Sequence, residues 1–165
     1  VAALEAAGSG CVRPNAGLPI RSPSEYHQID PNEENAMANR ARDWFAQAQK
    51  DLELAGLAQA SGKHEWACFA AQQAAEKAVK ALHLHRGQEA WGHVVARLLR
   101  ELPEPPPAAL IDRGMVLDNF YVGSRYPNGH PEGAPFEHYG TLQSNEAIGH
   151  ASEIIAFVRA QMAGS

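Results

Sequence analysis

Three observations predict an all-α fold, an antiparallel bundle of four main helices plus one short helix. Apolar residues recur at three- and four-residue spacing through most of the chain, prolines and glycines gather in a few places between those stretches, and no segment reads convincingly as a strand. At 165 residues, with 45% apolar and 20% charged types, the chain has the length and composition of one domain with a single core.

The first helix is expected from about Arg40 to Ala60, because Ala41, Trp44, Phe45, Ala48, Leu52 and Ala55 fall on one stripe and Ser61-Gly62 interrupts the pattern. The second, HEWACFAAQQAAEKAVKALHLHRG, is rich in good helix formers and meets no Pro or Gly until Gly87, where a left-handed cap is expected. Trp66, Phe69, Ala70, Ala74, Ala78, Ala81 and Leu82 form one apolar face, and Cys68, Ala71, Ala75 and Val79 form another beside it. Two apolar faces predict a central or interface helix. Its alanines let neighbouring backbones come close, and Trp66 and Phe69 would each contribute roughly 1.5–3 kcal/mol if fully buried.

Val94, Val95, Leu98, Leu99 and Leu102 predict a short third helix, stopped by PEPPP, whose prolines lack the amide hydrogens a helix interior requires. Leu110, Ile111, Gly114, Leu117 and Tyr121 mark a fourth. Ala147, Ile148, Ala151, Ile155, Val158 and Met162 mark a fifth, with Ser144 as its expected N-cap and Glu146 in its first turn. Between them, from Val122 to Gln143, lies a long Gly/Pro-rich loop carrying charged and aromatic residues. Loops of that length inside a domain are usually functional or mobile.

Residues 1–36 differ from the rest: they mix Gly, Pro, Ser and Asn with isolated apolar residues and show no periodicity. They read as a flexible or non-native lead-in, with Met37 a candidate biological start, and residues 37–165 read as the helical domain. The net charge is −5, and the lead-in holds five acidic and two basic residues, so the remainder carries −2. That balance disfavours a surface that clings everywhere to phosphate backbones but allows a local basic patch. Cys11 and Cys68, the only cysteines, cannot form a disulfide framework or a four-thiolate zinc site, and no signal segment or membrane-length apolar run is present, so a cytoplasmic protein is expected.

Four segments, ARDWFAQAQKDLELA, HEWACFAAQQAAEKAVKAL, GHVVARLL and LDNFYVGSRYP, together resemble the prokaryotic HEPN domain, named for higher eukaryotes and prokaryotes nucleotide-binding. The likeness covers roughly Met37 to Met162. It implies a bundle of four main helices plus a short one, commonly a homodimer, often encoded beside a minimal nucleotidyltransferase as the toxin of a toxin-antitoxin pair. Active members are metal-independent endoribonucleases with an Arg-x(4-6)-His motif. Others are catalytically silent interaction or scaffold modules. No cofactor is implied.

Arg125 and His130 fit that spacing and become the candidate catalytic pair. The chemistry suits them: cleavage of RNA by its own 2′-hydroxyl needs a proton-transfer group near neutral pH, which histidine supplies, and a fixed positive charge for the phosphorane oxygens, which arginine supplies. The sequence departs from the ribonuclease pattern in placing Tyr126-Pro127 directly after the arginine, where active members carry a polar residue. Glu132 stands where members silenced by adenylylation have a tyrosine, leaving Tyr139 as a distant substitute. The plain alternative is that Arg125 pairs with a helix end or an acidic residue, Tyr126-Pro127 packs on the bundle and His130 is solvated.

Tyr126 beside Arg125 is a candidate for binding a base next to a phosphate. Lys77 and Lys80 lie on one edge of the second helix within a locally basic stretch, either as phosphate contacts or as a solvated helix edge. His93 either caps the third helix or faces a shared cleft, and His138 and Tyr139 are further candidate ligand contacts in the long loop. His83 and His85, two residues apart on a helix, point about 200° from each other and make no metal pair, so no metal site is expected. Cys68, set among alanines, reads as packing.

Overall fold

The computed structural model describes residues 31–164. Among them all regular structure is helical: α1 (Pro31–Ala60), α2 (His64–His85), α3 (Val95–Arg100), α4 (Ala108–Asp118), the single turn α5 (Phe120–Gly123) and α6 (Thr141–Ala163), with two 3-10 turns at Pro127–Gly129 and Pro135–Glu137. The expected bundle is thus observed, with α1, α2, α4 and α6 as its main helices and α3 as the short one. Helix α1 begins nine residues before the periodic stretch, so 31–36 of the expected lead-in are helical. Residues 1–30, where the rest of that lead-in falls, lie outside the described residues.

Helix α2 occupies the centre and packs against every other α-helix. Its most extensive partner is α1, and the residues between them explain how two helices approach so closely. Ala41, Ala48 and Ala55, seven residues apart on α1, and Ala67, Ala71, Ala74, Ala75 and Ala78 on α2 are all fully buried. With only a methyl group at each position, the main chains come together with little side-chain bulk between them. Larger side chains fill the opposite side of α2, where Leu82, Leu98, Leu99, Leu117, Ile154 and Val158 form the rest of the core. Trp66 departs from expectation. It lies on the stripe that begins α2, yet half of it stays in solvent, because α1 has already reached its C-terminal end beside it.

Gly87 closes α2 as expected, in the left-handed region at φ +70°. The Gln88 N–H donates back to the His83 carbonyl and the Gly87 N–H to the Leu84 carbonyl, the paired bonds of a Schellman cap. Helix α6 starts earlier than expected. Gly140, whose N–H is taken by the Gln143 side chain, is its N-cap, and Ser144 lies inside the first turns, fully buried. There the Ser144 hydroxyl accepts from Gln59 and His64, each at 3.0 Å, and so fastens the start of α6 to the α1–α2 corner.

Helix α3 has a cap that comes from another helix. Asp118, the last residue of α4, accepts hydrogen bonds from the Val95 and Ala96 N–H groups at 2.6 and 3.1 Å. Burial raises the Asp118 carboxyl above its ordinary value, against the lowering effect of those two donors. The folded chain therefore holds this proton more tightly than the unfolded chain. The group's own titration favours the fold below the ordinary aspartate range, and that contribution is lost as pH climbs through the raised value. Asp118→Ala is expected to lower unfolding free energy by about 0.5–2 kcal/mol in urea titrations at neutral pH. Asp118→Asn, which keeps one acceptor without the charge, is expected to lower it less, and equal losses would refute the capping role.

Candidate nucleotide and RNA site

The long loop rises from the end of α5 and is held by contacts that the sequence alone does not show. Ser124 is buried, its hydroxyl bonded to the Phe120 carbonyl, and this fixes the point from which Arg125 leaves the bundle. The Arg125 Nε donates to the Tyr121 carbonyl at 2.8 Å, one helical turn back. Its guanidinium lies 4.3 Å from the Phe69 ring centroid, 4.7 Å from Tyr121 and 5.0 Å from Tyr126. One cation is therefore cradled by three aromatic rings from α2, α5 and the loop. Only Nε is tied to the backbone, which leaves the terminal amino groups of the fork for an anion.

The rings continue outward. Trp66 meets Phe69 edge-on at 6.1 Å, Phe69 leans on Tyr121 at 6.4 Å, and Tyr121 stacks on the His93 imidazole at 4.8 Å with planes 13° apart. Trp66 and Tyr126 are each about half exposed, at 51% and 52%. Two partly exposed aromatic rings thus belong to the cluster around a fixed cation, Tyr126 in contact with it and Trp66 one ring farther out, the residue types that single-stranded nucleic acid binding uses for bases and phosphates.

His130 faces a different set of neighbours. Its Nε2 donates to the Gly123 carbonyl at 2.7 Å, which leaves Nδ1 as the nitrogen with a lone pair in the neutral ring. The ring stacks on His138 at 4.0 Å and meets Tyr139 edge-on at 5.8 Å, while the His138 Nε2 donates to the Glu132 carbonyl. Together these contacts fold the loop back on the end of α5. A Cβ at Gly129 would stand 3.0 Å from the Gly123 Cα, so the close approach requires glycine there. Tyr139 packs against Phe120 at 5.9 Å, and burial raises its phenol above the ordinary value.

The two lysines already have acidic partners: Lys77 pairs with Asp51 across the α1–α2 groove and Lys80 with Glu76 at 2.8 Å. Beside Lys77 opens an apolar cleft of about 350 Å³, lined chiefly by Leu54, Ala58, Trp66, Phe69 and Ala70. Cys68 is fully buried, and its thiol is pushed up to about 12, first by burial and then by the charges of Glu65 and Glu146. It packs, as expected, and stays protonated at neutral pH. Among the described residues no cluster of three or more His, Cys, Asp or Glu side chains is arranged to hold a metal ion, and no helix is long and apolar enough to cross a membrane.

Phe69 and Tyr121 as supports of Arg125, and Glu76 and Gln72 as anchors of His93, emerge only from the fold. A signal existed for Tyr121, which stands four residues before Arg125 and so shares its helical face. For Glu76 and Gln72 the signal was two polar residues four apart within an alanine-rich buried strip.

A central alanine-faced helix, wrapped antiparallel by its neighbours and carrying an arginine loop beside partly exposed aromatic rings, defines a class of small helical-bundle domains. Within that class the HEPN domain family matches residues 41–161, and the chain belongs to it. Three solved structures are similar. The protein TT1696 from Thermus thermophilus is 49% identical, over 74% of this chain and 98% of that one, with a TM-score of 0.73. ST0689, an archaeal HEPN homologue, is 42% identical over 74% and 97%, with a TM-score of 0.66. The HEPN domain protein TM0613 from Thermotoga maritima is 34% identical over 72% and 95%, with a TM-score of 0.59. No curated protein sequence matches the chain.

Proposed function

We propose that this HEPN domain protein binds nucleotide or single-stranded RNA at the Arg125 cradle. The guanidinium fork takes a phosphate, and Tyr126 or Trp66 stacks a base. The observation that carries this reading is one arginine over three aromatic rings, with Tyr126 and the neighbouring Trp66 each about half exposed. Family likeness extends the reading to a cytoplasmic homodimer that works with a nucleotidyltransferase-type protein in a toxin-antitoxin pair. In its active form it would cleave RNA without a metal, with Arg125 as the clamp on the phosphorane oxygens and His130 as a proton-transfer group through Nδ1.

A catalytically silent interaction module is the second reading. It is favoured by the apolar cleft between α1 and α2 and by the loop-closing contacts of His130. Incubation of purified protein with single-stranded RNA in EDTA separates the two. The first reading expects binding, and cleavage to a cyclic phosphate that His130→Ala reduces. Binding without cleavage favours a silent nucleotide-binding domain, and neither binding nor cleavage favours the interaction module.

A further inference from the structure

His93 is held in place more firmly than an exposed residue between two helices requires. Its Nδ1 donates to the Glu76 carboxylate at 3.1 Å, its backbone carbonyl accepts from Gln72 at 3.0 Å, and its ring stacks on Tyr121. The anchors belong to the core: Gln72 is fully buried, and the Glu76 side chain is only 5% exposed. Glu76 is itself over-determined, with Lys80 on the oxygen that His93 uses and Gln72 and Gln73 on the other. The His93 side chain nevertheless remains 57% exposed. A buried carboxylate on Nδ1 sets the tautomer, so in the neutral ring Nε2 carries the lone pair.

Arg125 packs on the same Tyr121 ring, as Phe69 does. His93 and the Arg125 guanidinium lie 4.8 and 4.7 Å from the same centroid, so both rest against one ring. An oriented base and a permanent cation sharing one platform make the pair that attack by a 2′-hydroxyl on its neighbouring phosphate requires.

We infer that the Glu76–His93 pair is the general base of this site, with His93 as a catalytic residue and Glu76 as the positioning residue behind it. The inference rests on the RNA reading above and deepens it. His93 Nε2 takes the proton of the 2′-hydroxyl as the 2′ oxygen bonds to phosphorus. The bond from phosphorus to the 5′ oxygen breaks, and the leaving oxygen takes a proton that the His130 Nδ1 relays from water. The products are a 2′,3′-cyclic phosphate and a free 5′-hydroxyl, with His93 returned to neutrality by the hydroxide formed. Nothing is oxidised or reduced.

The charged and titratable groups near the His93 ring include Glu76 and Lys80 from α2, Tyr121 from α5, Arg125 from the loop and, two residues along at the start of α3, Asp118 from α4. Removal of the Glu76 carboxylate therefore removes the acceptor that fixes the His93 ring and its tautomer.

The test uses the full chain and a short single-stranded RNA in EDTA. Cleavage kinetics are followed across pH, and affinity is measured separately by fluorescence anisotropy with the 2′-O-methyl form of the same oligonucleotide, which cannot react. His93→Ala is expected to lower kcat about 10²–10⁴-fold while leaving the affinity for the 2′-O-methyl strand nearly unchanged. Glu76→Gln is expected to give a smaller fall in kcat with KM nearly unchanged, and Glu76→Asp, which keeps a carboxylate acceptor, to recover part of it. Circular dichroism checks that these variants are folded, and His93→Gln, at an exposed position, supplies a second variant that leaves the core untouched. Cleavage by His93→Ala and His93→Gln at the unaltered rate would overturn the assignment and leave the RNA reading standing. So would binding by the unaltered protein with no cleavage. Absence of both binding and cleavage would overturn the RNA reading itself, and this inference with it.

Discussion

Leu99→Ala is expected to lower the unfolding free energy by roughly 2–5 kcal/mol, the range for truncating a buried leucine where the surroundings relax only partly. Leu99 is fully buried on α3, and its Cδ1 would lie 3.2 Å from a Cβ placed at Gly114 on α4. Helix α4 has come so near that backbone, not side chain, forms the far wall of its pocket. Backbone in two helices that also share the Asp118 cap cannot move in easily to fill a cavity. A domain of this size has about 5–15 kcal/mol in total, so the variant should lose a large part of its stability. In urea titrations the midpoint should fall with the slope unchanged. A loss below about 1 kcal/mol would mean that the α3–α4 layer is looser than its close approach implies.

Arg125→Ala is expected to weaken binding of single-stranded RNA by roughly ten- to a hundred-fold, the scale of a lost charge-assisted contact to phosphate. Its effect on stability should be modest. The residue is half-buried; its bond to the Tyr121 carbonyl is worth about 0.5–1.5 kcal/mol, and its ring contacts share one partly solvated guanidinium, so they do not add and together contribute about 0.5–1 kcal/mol. Arg125→Lys should not restore affinity, because an ammonium lacks the planar fork that stacks on the rings and meets two phosphate oxygens at once. Anisotropy titrations at constant salt check both variants. Full recovery in Arg125→Lys would show that charge alone suffices, and unchanged affinity in Arg125→Ala would remove the site.

The bundle was legible because its helices repeat every three to four residues and because Gly87 sits where α2 must turn out of its helix. The start of α1 was not, since the sequence from Pro31 to Asn39 holds few apolar residues and shows no helical periodicity. Ser144 looked like an N-cap because serine favours that position. Gly140 with Gln143 made the cap first, and the serine hydroxyl went instead to Gln59 and His64. For the site, spacing picked out Arg125 and His130 but not what holds them. The Glu76–His93 contact joins residues 17 apart and the Asp118 cap joins residues 23 apart, and each depends on how α2, α3 and α4 cross. Helical periodicity reports which face a residue occupies. It does not report which other helix that face meets.

The nucleotide reading rests on the partly exposed rings of Trp66 and Tyr126 in the cluster around the Arg125 cation. The most direct measurement is a crystal structure of the protein with a short 2′-O-methyl oligonucleotide bound. The account predicts a phosphate on the Arg125 guanidinium, a base against Trp66 or Tyr126, and a 2′ oxygen within reach of the His93 Nε2. An oligonucleotide seated elsewhere on the bundle, with Arg125 still covered only by its own rings, would contradict it.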